Sequence, residues 1–171
     1  GGRRKIDTVE SRSMLSLDGD RITKEFLEEF EATFPYTSVL YTTHSSTEEN
    51  PRARIVCPLT RDVAPEEFVA VSRYVAQMLG IDYFDECSYL PNQLMYWPST
   101  PQNGVFVYKE TDGGWLDPDE ILNAHPEWTD PTRLPTSSRE SKANSVTQQK
   151  VQDPLSKEGV VGLFNRVYYP I

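Results

Sequence analysis

Met14-Leu15-Ser16-Leu17-Asp18-Gly19-Asp20 is a short apolar run that ends in two carboxylates. In a strand, side chains alternate between faces, so Asp18 and Asp20 share one face, and Gly19 between them leaves room for another group to approach. At an effective dielectric near 20 and a separation of about 6 Å, two such charges repel by roughly 2 to 3 kcal/mol. A divalent cation with oxygen ligands offsets that repulsion most directly. The other reading is a solvated Asp-Gly-Asp turn, in which water screens both charges. The run alone leaves both open.

Working outward, Thr23 is placed to cap a helix that reaches about Thr33, with Phe26, Leu27, Phe30 and Phe34 as its apolar stripe and Pro35 as its stop. Ser38 to His44 has the β-branched and aromatic content of a strand, and Arg52 to Cys57 reads as a second, joined to it through polar residues 45 to 51. By period two, Thr42 and His44 share a face of the first strand, and Arg52 and Arg54 share a face of the second. If those faces coincide, a hydroxyl, an imidazole and two guanidiniums meet, a set suited to a polyanion such as a triphosphate. A solvated hairpin face is the alternative.

Pro65, the apolar positions Phe68, Val71, Val75, Met78 and Leu79, and the stop at Gly80 define a helix over residues 65–79 whose task is to cover a sheet. Ile81-Asp82-Tyr83-Phe84-Asp85-Glu86 then brings a second acidic cluster, followed by Leu94-Met95-Tyr96-Trp97, which reads as a buried strand. Asp85 is either a third metal ligand or an exposed turn acid. Val105 to Tyr108 predicts another strand, Asp112-Gly113-Gly114 a turn, and Asp117-Pro118 the start of a short helix through Leu122. The expected class is α+β, a mixed or antiparallel sheet flanked by helices.

A chain of 171 residues suffices for one domain with a core, plus a tail. Its 37% hydrophobic and 11% aromatic content suits a globular protein, and no apolar run approaches the length of a membrane helix. With no secretory signal visible, the expectation is a cytoplasmic protein without a membrane partner. The net charge of -9 argues against a free-standing nucleic-acid binder held by counterion release. Charge is uneven, however: acids gather in segments 25–31 and 110–130, whereas Arg52 and Arg54 stand together and could hold phosphates beside a metal. Cys57 and Cys87 show no Cys-x-x-Cys spacing, which predicts reduced, buried thiols; a mixed site with His44 and His125 is the minor alternative. From Glu127 to Ser156 the chain is polar and reads as a linker or tail, and Gly159 to Ile171 is apolar again, as expected of a fragment whose missing part that segment would contact.

Taken together, Leu17-Asp18-Gly19-Asp20, Thr42-Thr43-His44 and Phe84-Asp85 resemble the three motifs of the archaeo-eukaryotic primase superfamily, in particular primase-polymerases of phages and mobile elements. The flanking phrases YTTHSSTEENPRARIVCPL and LPNQLMYWPST extend the resemblance over roughly residues 10–122, and DPLSKEGVVGLFNRVY looks like a segment leading to a helicase domain. The resemblance implies an RRM-like sheet flanked by helices and two-metal nucleotidyl transfer. Asp18, Asp20 and Asp85 would hold Mg²⁺ or Mn²⁺, His44 would contact the phosphates of an incoming NTP or dNTP with Thr42 beside it, and single-stranded DNA would be the template. Asp18, Asp20, Asp85 and His44 are thus the expected catalytic residues, and Thr42, His44, Arg52 and Arg54 the expected nucleotide-binding ones.

This reading divides the chain into a primase-polymerase domain over 1–126, lacking an upstream segment, and a linker and tail over 127–171 leading toward a helicase-type region. Relatives often carry arginine where this chain has Gln93, so a contact to substrate or template is either absent or supplied by Arg52 or Arg54. Two rivals remain. A haloacid dehalogenase-like phosphatase also puts Asp-x-Asp after a hydrophobic strand, but Ile22 occupies the position where that family usually has Thr or Val, and no lysine lies between Lys24 and Lys109. A catalytically degenerate primase-like replication scaffold is the other.

Overall fold

Strand β1, Arg12–Gly19, grows from the opening apolar run and stops between the two carboxylates. Gly19 is required at its end: a Cβ there would lie 2.7 Å from Ile22 Cγ2 and 3.2 Å from the Ala53 carbonyl oxygen. The chain continues through α1 (Lys24–Thr33), β2 (Ser38–Thr42), β3 (Ala53–Val63), α2 (Pro65–Leu79), β4 (Tyr108–Thr111) and α3 (Pro118–Ala124). This computed structural model describes residues 5–140. The chain splits into two compact units, Gly1–Pro135 and Thr136–Ile171, and all of these elements belong to the first. The apolar return over 159–171 and the expected joint to a helicase domain lie outside the described residues.

The four strands form one sheet in the order β1-β3-β2-β4, with every neighbouring pair antiparallel. The α+β expectation, with helices flanking an antiparallel sheet, is what the chain adopts. Local chemistry sets the helix ends. The Thr23 hydroxyl accepts from the Phe26 N–H at 3.1 Å to open α1, and the Glu67 carboxylate accepts from the Ala64 N–H at 2.8 Å to open α2. Gly80 closes α2 at φ +100°, a conformation that glycine adopts without a Cβ clash.

Register sorts the side chains into two faces. Leu15 pairs with Cys57 and Leu17 with Ile55, which in turn pairs with Leu40. These side chains are buried with Phe30 and Phe34 of the α1 region and Phe68, Val71 and Val75 of α2. At about 25 cal/mol per Å² of apolar surface, each such leucine or phenylalanine contributes on the order of 2 kcal/mol.

Three expectations change. Leu94 to Trp97 forms no strand: Leu94, Tyr96 and Trp97 are exposed, and Pro98 and Pro101 cannot donate to a ladder. The strand expected at Val105 begins only at Tyr108, because the Thr42 hydroxyl accepts the Val107 N–H at 2.9 Å in place of a main-chain carbonyl. The first unit runs to Pro135: Trp128 packs on the core, Leu134 is buried and Arg73 donates to the Pro135 carbonyl at 2.7 Å. Cys57 is buried in the core, as expected, but Cys87 is exposed.

Candidate active site

On the face of the sheet opposite the leucines, Asp18 of β1 stands across from Arg54 of β3, which stands across from Tyr41 of β2. Arg54 is only 7% exposed, so its charge needs partners. Its Nη2 donates to Asp18 Oδ2 at 2.8 Å and its Nη1 to the Tyr96 carbonyl at 2.7 Å. A further donor, Nε, is buried with no acceptor. Such an orphan is costly in a finished protein interior, about 1–3 kcal/mol.

Asp20 follows the end of β1, and Arg52 precedes β3, so both sit at the mouth of this face; Arg52 Nη1 lies 3.3 Å from Asp20 Oδ1. His44 lies in the turn beyond β2, where its Nδ1 is 3.3 Å from Ser99 Oγ. Asp18, Asp20, His44, Arg52 and Arg54 line one cavity of about 230 Å³, joined by Tyr41, Thr43, Ser45, Tyr96, Trp97 and Ser99. Burial pushes the Asp18 carboxyl above its ordinary value, against the downward pull of Arg54, and the charges of Asp20 and Asp85 push it further. Arg54 is held charged by Asp18 in spite of its burial.

Asp85 is brought to the same strand end by a different route. Its backbone N–H donates to the Asp18 carbonyl at 2.8 Å, and Phe84 bridges to Gly19. A 3-10 turn, Glu86–Tyr89, follows it, and the Asp85 carboxylate caps that turn by accepting the Cys87 N–H at 3.2 Å. Asp85 therefore stands beside Asp18 without lining the cavity. Among the described residues, no three His, Cys, Asp or Glu side chains converge as a metal cluster. Asp18 and Asp20 have guanidiniums as their cationic partners, and their hard carboxylate oxygens are the donor type that Mg²⁺ or Mn²⁺ takes. The mixed thiol and imidazole site does not form either: Cys57 is in the core and His125 stacks on Tyr74 with ring centroids 3.8 Å apart.

Thr42 does not join the cavity. Its hydroxyl donates to the Val105 carbonyl at 3.3 Å as well as accepting from Val107, and it lies on the helix-covered face with Ala53. The hairpin alternation expected from the sequence assumed a strand long enough to include His44, whereas β2 ends at Thr42 and the chain turns. Tyr41, directly opposite Arg54, takes the place assigned to Thr42, and its hydroxyl reaches the Tyr96 carbonyl at 3.4 Å. The signal for Tyr41 was present in the period of two. The signal for Tyr96, Trp97 and Ser99 was not, because an irregular segment brings them over the sheet.

Residues 1–137 match the VapE N-terminal domain. The chain belongs to that family. No curated protein matches its sequence. Among solved structures, this VapE N-terminal domain is similar to the AEP domain of the cyanophage S-2L primase-polymerase, with a TM-score of 0.53 and 16% sequence identity. The match covers 71% of this chain and 64% of that one, so the chain spans less than two thirds of the phage domain. The primase-polymerase fold expected from the three motifs is the fold of this domain. No helix among the described residues is long and apolar enough to cross a membrane.

Proposed function

We propose that this VapE N-terminal domain is a DNA primase or primer-extending polymerase domain of a phage or mobile-element replication protein, a nucleotidyltransferase acting on NTPs or dNTPs. One observation carries the reading: two carboxylates, a histidine and two arginines line a single cavity on the open face of a primase-polymerase fold. Asp18 and Asp20, with Asp85 beside them, are the residues that would hold Mg²⁺ or Mn²⁺. When bound, such cations supply activation of the attacking 3′-hydroxyl and stabilisation of the leaving pyrophosphate. His44 and Arg52 take the nucleotide phosphates, His44 being steadied by Ser99. Arg54 orients the Asp18 carboxylate and keeps its unmet Nε for a phosphate oxygen. Single-stranded DNA is the template, and a helicase is the expected neighbour in replication.

The ion pairs Arg54–Asp18 and Arg52–Asp20 favour one second reading, a replication scaffold in which arginines have taken over the metal's place. The phosphatase reading loses its ground with the fold. Labelled-nucleotide incorporation on primed and unprimed single-stranded DNA, with Mg²⁺ or Mn²⁺, separates the remaining two. The expected outcome is product from the intact protein and a loss of about 1000-fold in Asp18→Ala, the scale of removing a group that stabilises charge in the transition state. His44→Ala should raise the nucleotide KM while Mn²⁺ binding stays. Equal product from the intact protein and Asp18→Ala would overturn the role given to Asp18, and no product from either would establish the scaffold.

A further inference from the structure

The segment over the cavity exposes its largest apolar side chains. Trp97 is 91% exposed and Tyr96 75%, although both line the cavity that Asp18, His44 and Arg54 also line. Their backbone is not loose. The Tyr96 carbonyl accepts both the Arg54 guanidinium and the Tyr41 hydroxyl, and Ser99 meets His44 on the other side of Trp97. Two aromatic rings are thus presented to solvent from a chain segment pinned at both ends. Nothing in the packing of the core uses them, since neither belongs to the buried cluster nor to the side chains packed on it.

We propose that Trp97, with Tyr96 beside it, forms the nucleobase subsite of this cavity: it stacks on the base of the nucleotide whose phosphates His44, Arg52 and Arg54 receive. The inference rests on the nucleotide-binding reading above and adds the group that recognises the nucleoside end. A flat, π-faced ligand portion attached to a polyanion matches what the cavity lining offers, two aromatic rings and two guanidiniums. Stacking of this kind is tolerant of base identity, because every base has a π-face. The subsite therefore distinguishes a nucleotide from a bare polyphosphate rather than one base from another.

The test uses the full chain in Mg²⁺ buffer with dATP and inorganic tripolyphosphate as probes, followed by calorimetry and tryptophan fluorescence. Trp97→Ala should weaken dATP about tenfold, the size of one base stack, and leave tripolyphosphate unchanged. Trp97→Phe should recover most of the dATP affinity, and dATP should quench a fluorescence component that Trp97→Ala lacks. Wild-type dATP affinity in Trp97→Ala, with tripolyphosphate still bound, would overturn the base subsite and spare the phosphate site. Equal weakening of both probes would also overturn it, by making Trp97 a support of the phosphate groups. Failure of the wild-type chain to bind either probe would overturn the phosphate site and the base subsite with it.

Discussion

Arg54 and Arg61 lie on the same strand, and each faces carboxylates. Arg61 spends its five donors completely: Nε and Nη2 reach Asp119, Nη1 and Nη2 reach Glu67, and Nη1 also reaches the Asp62 carbonyl, at 2.6 to 3.1 Å. Glu67 in turn caps α2 through the Ala64 N–H. This fork, partly open to solvent, clamps β3 to the first turns of α2 and α3, and nothing is left for a ligand. Arg54 is buried, holds one carboxylate and one carbonyl, and keeps an orphan donor. The structural ion pair at Arg61 uses every donor, whereas the proposed binding site at Arg54 carries unspent capacity and the energetic cost that goes with it.

The largest effect should come from breaking the buried pair. Arg54→Met leaves Asp18 desolvated without its cation, which should cost about 3 kcal/mol in urea unfolding and reduce nucleotide incorporation about 100-fold. If both quantities stay at wild-type values, the contrast between the two arginines disappears. Arg61→Ala is expected to cost about 1 kcal/mol, because the guanidinium and its partner Asp119 are partly solvated, and to leave incorporation unchanged. A large loss of incorporation in that variant would move Arg61 into the site.

The smallest effect is a pH dependence. Hydrogen bonds from Arg61 hold the Glu67 carboxyl below its ordinary value of 4.5, so the folded chain releases that proton at lower pH than the unfolded chain does. The stabilisation is complete above 4.5 and is lost as the pH falls through the folded-state value. The gap in urea midpoint between wild type and Glu67→Gln should therefore narrow on acidification below that point. A gap that stays constant would show that Arg61 does not act through the Glu67 charge, and the fork would then be a matter of packing.

Much of this was legible from residues alone, wherever the determinant is local. Thr23 as a cap, Pro65 and Gly80 as the limits of α2, Asp117-Pro118 as the start of α3, and Asp18 at the end of a strand each depend on a few neighbouring residues. What failed did so at a distance. Thr42 was placed with the arginines, but the chain leaves the sheet after it and the Val105–Val107 segment claims its hydroxyl. Leu94 to Trp97 has the composition of a buried strand, and no strand of the sheet offers it a partner. Asp85 was correctly brought near Asp18 by its motif, yet only the backbone bond between them and the turn it caps show where its carboxylate is spent.

By itself, then, the sequence determined the α+β order of elements and the acidic end of β1, and it offered the groups proposed to meet a metal or a phosphate, because periodicity, capping and charge act over a few residues. Only the tertiary structure decided that Tyr41 rather than Thr42 shares a face with Arg54, that arginines neutralise Asp18 and Asp20, and that Trp97 stands open beside them. Those outcomes depend on cross-strand register and on an irregular segment arriving from far along the chain. Neither leaves a period in the sequence from which it could be read.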